Sequence, residues 1–194
     1  MKKSMYKRKA KKGSDMYHTP FSLVWKLLEH EKFTNCLEPA CGEYAIVKAA
    51  RDNSNCNFSL AYDLNDPNTG DDFLTTDVWP GDILTNPPFS LWDEFVTHAK
   101  KICSKKICMI GRLNYLGCVG RSKSGIWNHL KEIYVFNRYV DFRTPYREDG
   151  HFHVGGMCSG WFVWDMQYTG PHMFYILDVS EYATLGNFKD EGNV

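Results

Sequence analysis

The sequence has no apolar run of about 18 residues, the length a membrane-spanning helix requires, and its lysine-rich start lacks the apolar stretch of a secretory leader. It therefore reads as cytosolic. There is no Cys-x-x-Cys pair, and the seven cysteines are odd in number and scattered from Cys36 to Cys158. That usage fits reduced thiols rather than a disulfide framework. Cys103 and Cys108 flank a Ser-Lys-Lys turn without the further ligands of a zinc set, and His151 and His153 stand equally alone. No metal site is expected. Charge of one sign is missing from two stretches: residues 1–13 hold seven Lys/Arg and no acid, and residues 52–99 hold nine Asp/Glu and no Lys/Arg.

What is present is enough for one core. A chain of 194 residues with 43% hydrophobic side chains reads as a single globular domain. We expect it over residues 14–185, between a basic mobile tail at 1–13 and a C-terminal tail at 186–194. The formal net charge of zero hides a polarity, since the chain beyond residue 13 carries 16 Lys/Arg against 23 Asp/Glu. Residues 112–147 reverse that balance, with seven Lys/Arg and two acids. An acidic side suits a cationic small molecule and a basic side suits a polyanion. The tail adds cations that can hold phosphates without sequence preference.

Along the chain, Thr19 suits an N-cap and Pro20 a first helical position, while Phe21, Val24, Trp25 and Leu28 share one helical face. This predicts a helix over 20–31. A strand at 35–38 delivers Glu38-Pro39-Ala40-Cys41-Gly42-Glu43-Tyr44 into a helix over Ala45–Asp52. A small-residue turn of this kind lets backbone N–H groups approach a ligand closely. The strand Asn57–Tyr62 ends at Asp63, 21 residues beyond Gly42, where a doubly wound fold sets an acid against ribose hydroxyls. Next come a strand at Asp82–Thr85, a Ser90/Asp93 capping box and a helix burying Leu91, Phe95, Ala99 and Ile102. Lys105–Gly111 reads as a central parallel strand buried on both faces. Arg112–Gly125 is a long glycine- and arginine-containing connection of the substrate-loop kind, residues 126–136 return a short helix and a strand, and 138–160 is polar, aromatic and glycine-rich. Trp161–Met166 and His172–Asp178 are expected to form an antiparallel hairpin at the sheet edge.

The chemistry centres on Leu84-Thr85-Asn86-Pro87-Pro88-Phe89-Ser90. Asn86 offers a side-chain carbonyl acceptor, and two prolines hold the backbone extended with carbonyls that no ladder readily claims. Phe89 adds a flat apolar face. Acceptors beside a flat face suit an exocyclic amine on a planar ring. This segment resembles the Asn-Pro-Pro-aromatic motif of S-adenosylmethionine-dependent amino-methyltransferases, above all those acting on N6 of adenine. Tyr17-His18-Thr19-Pro20 resembles their first cofactor motif. Glu38–Tyr44 resembles their Glu-Pro-x-Cys-Gly-x-Gly loop, with Tyr44 in place of the second glycine. Asp72-Phe73 resembles the motif that holds the cofactor's adenine, with Asp71 and Asp77 as competitors for the acid. Ser159-Gly160-Trp161-Phe162-Val163-Trp164 resembles the late aromatic motif that helps to hold a flipped base.

The resemblance runs from about residue 17 to 178. It implies the seven-stranded Rossmann-like α/β methyltransferase sheet, mostly parallel with one antiparallel edge hairpin, and methyl transfer to adenine N6 in DNA. It places S-adenosylmethionine against Tyr17, Thr19, Pro20, Glu38, Pro39, Ala40, Cys41, Gly42, Asp63, Asp72, Phe73 and Asn86. Asn86, Pro87, Pro88 and Phe89 become catalytic. Arg112, Arg121, Lys123, Arg143 and Trp161 become substrate contacts. Target recognition then rests on the loops at 112–125 and 138–160, which implies a short target or little specificity. RNA adenine methylation, protein-glutamine methylation and an inactive cofactor-binding partner subunit remain as alternatives.

Overall fold

The computed structural model describes residues 17–66, 70–143 and 153–180. The basic tail, His151 and residues 181–194 lie outside the described residues. In chain order the elements are α1 (Phe21–Leu28), β1 (Phe33–Glu38), α2 (Ala45–Ala50), β2 (Cys56–Ala61), β3 (Ile83–Thr85), α3 (Trp92–Ile102), β4 (Lys106–Arg112), α4 (Val119–Ser124), β5 (Leu130–Phe136), β6 (Ser159–Asp165) and β7 (Met173–Leu177). The strands form one sheet in the order β2-β1-β3-β4-β6-β5-β7. It is parallel except for β6, which runs antiparallel to both β4 and β5. This is the mostly parallel, seven-stranded α/β architecture that the sequence led us to expect.

Two apolar layers explain why the central strands read as continuous apolar runs. On one face α1 and α2 bring Leu23, Val24, Leu27, Leu28, Ile46 and Ala49 against Cys108, Ile110, Trp161 and Val163. On the other, α3 brings Phe95, Val96, Ala99 and Ile102 against Ile107, Met109, Phe162 and Trp164. Successive residues of β4 and β6 thus point alternately into two cores, so no position is free to be polar.

The hairpin differs from expectation. Residues 161–166 and 172–178 do not pair with each other. Instead β6 forms the antiparallel hairpin with β5, and β7 lies beyond β5 and parallel to it. The physical reason is burial: Trp161, Phe162, Val163 and Trp164 are fully buried, which only an interior strand allows. The connection 112–125 also departs from a plain loop, since it contains a 3-10 turn at Leu113–Gly117 followed by α4. Ser90 is not the N-cap of α3. Leu91 is the N-cap of α3 without a side-chain cap, and Asp93 accepts from Arg121 instead. Likewise Pro20, not Thr19, is the N-cap of α1.

The amino ends of the strands are fastened by Asp82, whose buried carboxylate accepts from the Thr34 N–H at 2.7 Å and the Lys106 N–H at 3.1 Å. Beside it, Gly81 leaves no space for a side chain. A Cβ there would lie 1.8 Å from the Asn35 carbonyl oxygen, which is backbone and cannot swing away. Gly81→Ala is therefore expected to cost about 3 kcal/mol, the upper range for overpacking, and to lower the thermal midpoint by about 6–12 °C. A melting curve unchanged from wild type would contradict this packing. Among the described residues no helix is long and apolar enough to cross a membrane.

Candidate active site

Because β1, β2, β3 and β4 run parallel, their carboxyl ends deliver four segments to one side of the sheet. These are Glu38–Gly42, Tyr62–Asp63, Asn86–Phe89 and Arg112. The reversed β6 adds Ser159, which lies opposite Arg112 in the ladder. The chain before α1 reaches the same place. His18 N–H donates to the Phe142 carbonyl at 2.8 Å, and the Thr19 hydroxyl accepts from Asn86 Nδ2 at 3.1 Å.

That last bond fixes the Asn86 amide. Its Nδ2 is committed to Thr19, while Oδ1 is buried and has no hydrogen-bond partner among the described residues. Five other buried side-chain atoms share that condition: Ser22 Oγ, Glu38 Oε2, Thr85 Oγ1, Arg112 Nε and Ser159 Oγ. All six belong to the carboxyl ends of β1, β3 and β4, the facing start of β6, or the first turn of α1. Leaving such an atom unpaired costs about 1–3 kcal/mol, and native folds hold few of them. Their gathering at one end of the sheet makes that end the candidate site.

Glu38 is the acid of this group. It is 2% exposed, and burial raises its carboxyl well above the usual carboxylate range, only partly opposed by the Val47 N–H. A cation brought against it would restore the charged form. The loop that follows is shaped by Asp63, whose Oδ2 accepts from Gly42 N–H at 3.1 Å and whose Oδ1 accepts from Asn65 N–H at 2.8 Å. Gly42 has φ +49° and open space where a Cβ would stand. Burial pushes the Cys41 thiol up to about 12, so it stays protonated and is no nucleophile.

Tyr44 resolves the departure in the loop motif. Its backbone is left-handed, at φ 63° and ψ 28°, the conformation for which glycine is usually used. Its N–H donates to the Cys41 carbonyl at 2.7 Å and its hydroxyl to Asp66 Oδ2 at 2.8 Å. The turn thus keeps its glycine-type backbone with a tyrosine in it.

Phe89 is not a free face. It is buried among Tyr17 at 4.7 Å, Phe142 at 5.7 Å edge-on and the Arg112 guanidinium at 4.7 Å from its ring centre. Phe142 could not be found from the sequence, because it lies in an irregular segment without motif. Tyr115 was also missed: its hydroxyl donates to the Phe89 carbonyl at 3.4 Å, and Arg121 lies over its ring at 4.2 Å. Pro87 is buried and Pro88 half-buried beside Asn86.

Other expected contacts are placed elsewhere. Trp161 is fully buried and donates its Nε1–H to the Leu23 carbonyl at 3.0 Å, so it is a core residue rather than a substrate contact. Phe73 is 2% exposed and packs on Phe95 and His98, inside the core and not on the open side of its loop. Asp72 accepts from Leu74 N–H at 3.0 Å and caps the short turn. Arg121 is held by Asp93 at 2.7 Å. Lys123 and Arg143 are exposed, Arg143 directly after Phe142. A shallow depression of about 420 Å³ lined by Leu74, Asp93, Glu94, Thr97, His98 and Lys101 contains none of the strand-end motif residues.

No protein-family model matches this chain, and no curated protein matches it. Solved structures do resemble it. A predicted O-methyltransferase from Agrobacterium tumefaciens superposes with a TM-score of 0.52 at 11% identity, covering 90% of this chain and 96% of that one. The fold is shared. The M protein of the type I restriction enzyme EcoKI gives 0.46 at 12% identity, over 79% of this chain and 44% of the other. A dimethyladenosine transferase from Plasmodium falciparum gives 0.40 at 13% identity, over 90% and 67%. Identities this low bear on fold alone, so the chemistry has to be argued from the residues.

Proposed function

We propose that the chain is an S-adenosylmethionine-dependent methyltransferase whose acceptor is the exocyclic amine of adenine, N6, in DNA. The observation that carries this reading is Asn86 Oδ1, a buried acceptor without a hydrogen-bond partner among the described residues, next in the chain to the Pro87 carbonyl and three residues before Phe89. An amine hydrogen is what such an atom lacks. Other groups at the strand ends fit the cofactor: Glu38, with its unpaired Oε2, meets an ammonium, the open backbone at Gly42 admits a chain alongside it, and Asp63, which holds that loop, stands at the end of β2 for hydroxyls. S-adenosylmethionine bound there supplies an electrophilic methyl group on a sulfonium.

The residues of the chain then do the following. The N6 lone pair of adenine is delocalised into its ring and is a poor nucleophile while the amine stays planar. Asn86 Oδ1 and the Pro87 carbonyl accept the two amine hydrogens and favour a tetrahedral nitrogen, whose lone pair is free to take the methyl group as its bond to sulfur breaks, one amine proton then leaving to water. Thr19 keeps the Asn86 amide from turning. These acceptors are fixed before the charge develops, which is where such groups contribute most. A base in a duplex has to leave the stack to reach them. To stack on Phe89 the base has to displace what covers that ring, the Arg112 guanidinium among it. The basic surplus between residues 112 and 147 supports a polyanionic substrate.

The cofactor half of this reading has a proton signature. Burial favours the protonated form of Glu38 in the free protein, and an ammonium partner brought against it favours the carboxylate, so binding should release protons to the buffer. The sign follows: affinity rises with pH until the free-state carboxyl is already ionised. Calorimetry between about pH 6 and 7, where the ligand's own amine stays charged, in buffers of different ionisation heat should show this release. Glu38→Gln should abolish it and weaken binding about tenfold or more. Unchanged affinity in Glu38→Gln would remove Glu38 from the site. Labelled methyl transfer offered in parallel to DNA, RNA and protein tests the acceptor. Transfer to DNA is expected, and transfer to RNA or protein alone would replace the DNA assignment.

A further inference from the structure

The strand β7 carries a feature that the methyl-transfer reading does not use. It is the edge of the sheet, yet Phe174, Tyr175 and Ile176 are 57%, 44% and 72% exposed. Natural sheet edges are normally blunted by lysine, proline or a bulge. Met173-Phe174-Tyr175-Ile176-Leu177 contains no lysine or proline, and its pairing with β5 is regular. On the other side of the molecule the edge strand β2 alternates with the polar residues Asn57 and Ser59. The two edges are built differently.

The direction of the free backbone groups follows from the ladder. Leu177 is opposite Phe136, and Asn137 N–H donates to the Leu177 carbonyl at 3.1 Å. Leu177 therefore turns its N–H and C=O toward β5, and by the two-residue period so do Tyr175 and Met173. Phe174 and Ile176 turn theirs outward. We infer that β7 is a self-pairing edge, through which two copies of this chain join antiparallel about a two-fold axis at Tyr175.

In that register Phe174 of each copy lies opposite Ile176 of the other, and both pairs are of the type that exchanges two backbone hydrogen bonds. Met173 meets Leu177, so every pair within the strand is apolar. The flanks are complementary too, because His172 falls opposite Asp178. Asp178 Oδ1 already accepts from Asn137 and Ser180, while the His172 ring is held through Nδ1 at the Leu130 carbonyl. Shifting the register by two residues either way sets Phe174 against itself and Ile176 against His172, or Ile176 against itself and Phe174 against Asp178. Only the register centred on Tyr175 makes every pair within the strand apolar, and its isologous contact closes as a dimer. The strands being antiparallel, the two candidate sites face opposite ends of the joined sheet and do not share residues. The inference is thus independent of the methyl-transfer reading.

Sedimentation velocity on the full chain should show a species of twice 22.5 kDa, and Ile176→Lys should return it to a folded monomer, its side chain being exposed in the single chain. The register is read by cross-linking in a Cys118→Ser, Cys158→Ser background, which removes the two incompletely buried thiols. Tyr175→Cys should oxidise to a covalent dimer, because directly opposed non-hydrogen-bonded residues lie about 4.5 Å apart at Cα, within disulfide reach. Phe174→Cys and Ile176→Cys should not. A monomeric wild type, an assembly that grows beyond two copies, or self-cross-linking at 174 or 176 in place of 175 would each overturn the inference.

Discussion

Asn86→Ala is expected to lower single-turnover methyl transfer to an adenine-containing oligonucleotide about 10²–10³-fold, the loss typical of removing one preorganised group from a reacting centre. Affinity for S-adenosylmethionine should be retained, because Oδ1 is assigned to the acceptor amine. The fold should survive, since truncation removes a single bond to Thr19 together with an acceptor that has no partner among the described residues. Thr19→Val is the informative companion. It leaves the β-branched shape, removes the oxygen that holds Nδ2, and should reduce transfer by a smaller factor through misorientation of the amide. At Phe89 the expected order is wild type, then Trp, then Ala, because stacking on a base is worth about 1–3 kcal/mol. The Ala variant also loses packing against Tyr17 and Phe142, so its melting curve has to accompany its rate. Wild-type transfer by Asn86→Ala would remove the amide from the chemistry.

The largest expected stability effect is at Trp92. This residue begins α3 immediately after the motif and is 1% exposed. Its ring lies within 6 Å of the rings of Tyr115, Trp127, Phe162 and Trp164, and its Nε1–H donates to the Ile110 carbonyl at 2.8 Å. Trp92→Ala should cost about 3–5 kcal/mol and lower the thermal midpoint by about 10 °C or more. Trp92→Phe should keep most of the packing while leaving the Ile110 carbonyl unpaired, a cost of about 1–3 kcal/mol. Equal losses for the two variants would mean that the hydrogen bond, rather than the aromatic volume, is what holds the motif's helix in place.

Much of this arrangement was legible in the sequence because it is local. Strand ends followed by Gly42, Asp63 and Asn86 announce themselves through turn residues, and their order along the chain already places them at one end of a parallel sheet. The pairing of the last strands was not legible. Trp161–Trp164 shows the same unbroken apolar run as β4, the mark of a strand covered on both faces, but chain proximity favoured pairing it with its neighbour β7. Trp161 was misassigned for a related reason. An aromatic in a motif looks the same whether it faces a ligand or donates to a core carbonyl, and only the position of Leu23 decides. Phe89 shows the limit in three dimensions: the residues that cover it come from positions 17, 112 and 142, and no spacing in the sequence brings those together. Tyr44 was legible as a departure from a glycine motif. Its consequence was not, because the left-handed backbone and the Asp66 contact that accompany it are properties of the folded loop.

The central claim is that the orphaned acceptor at Asn86 receives the N6 amine of adenine. Its most direct test is nucleoside mass spectrometry on DNA incubated with the protein and S-adenosylmethionine carrying a heavy methyl group. The account predicts the heavy label in N6-methyldeoxyadenosine and in no other nucleoside, with its yield lost in Asn86→Ala. Label on another base, on another atom of adenine, or nowhere in the presence of bound cofactor would contradict it.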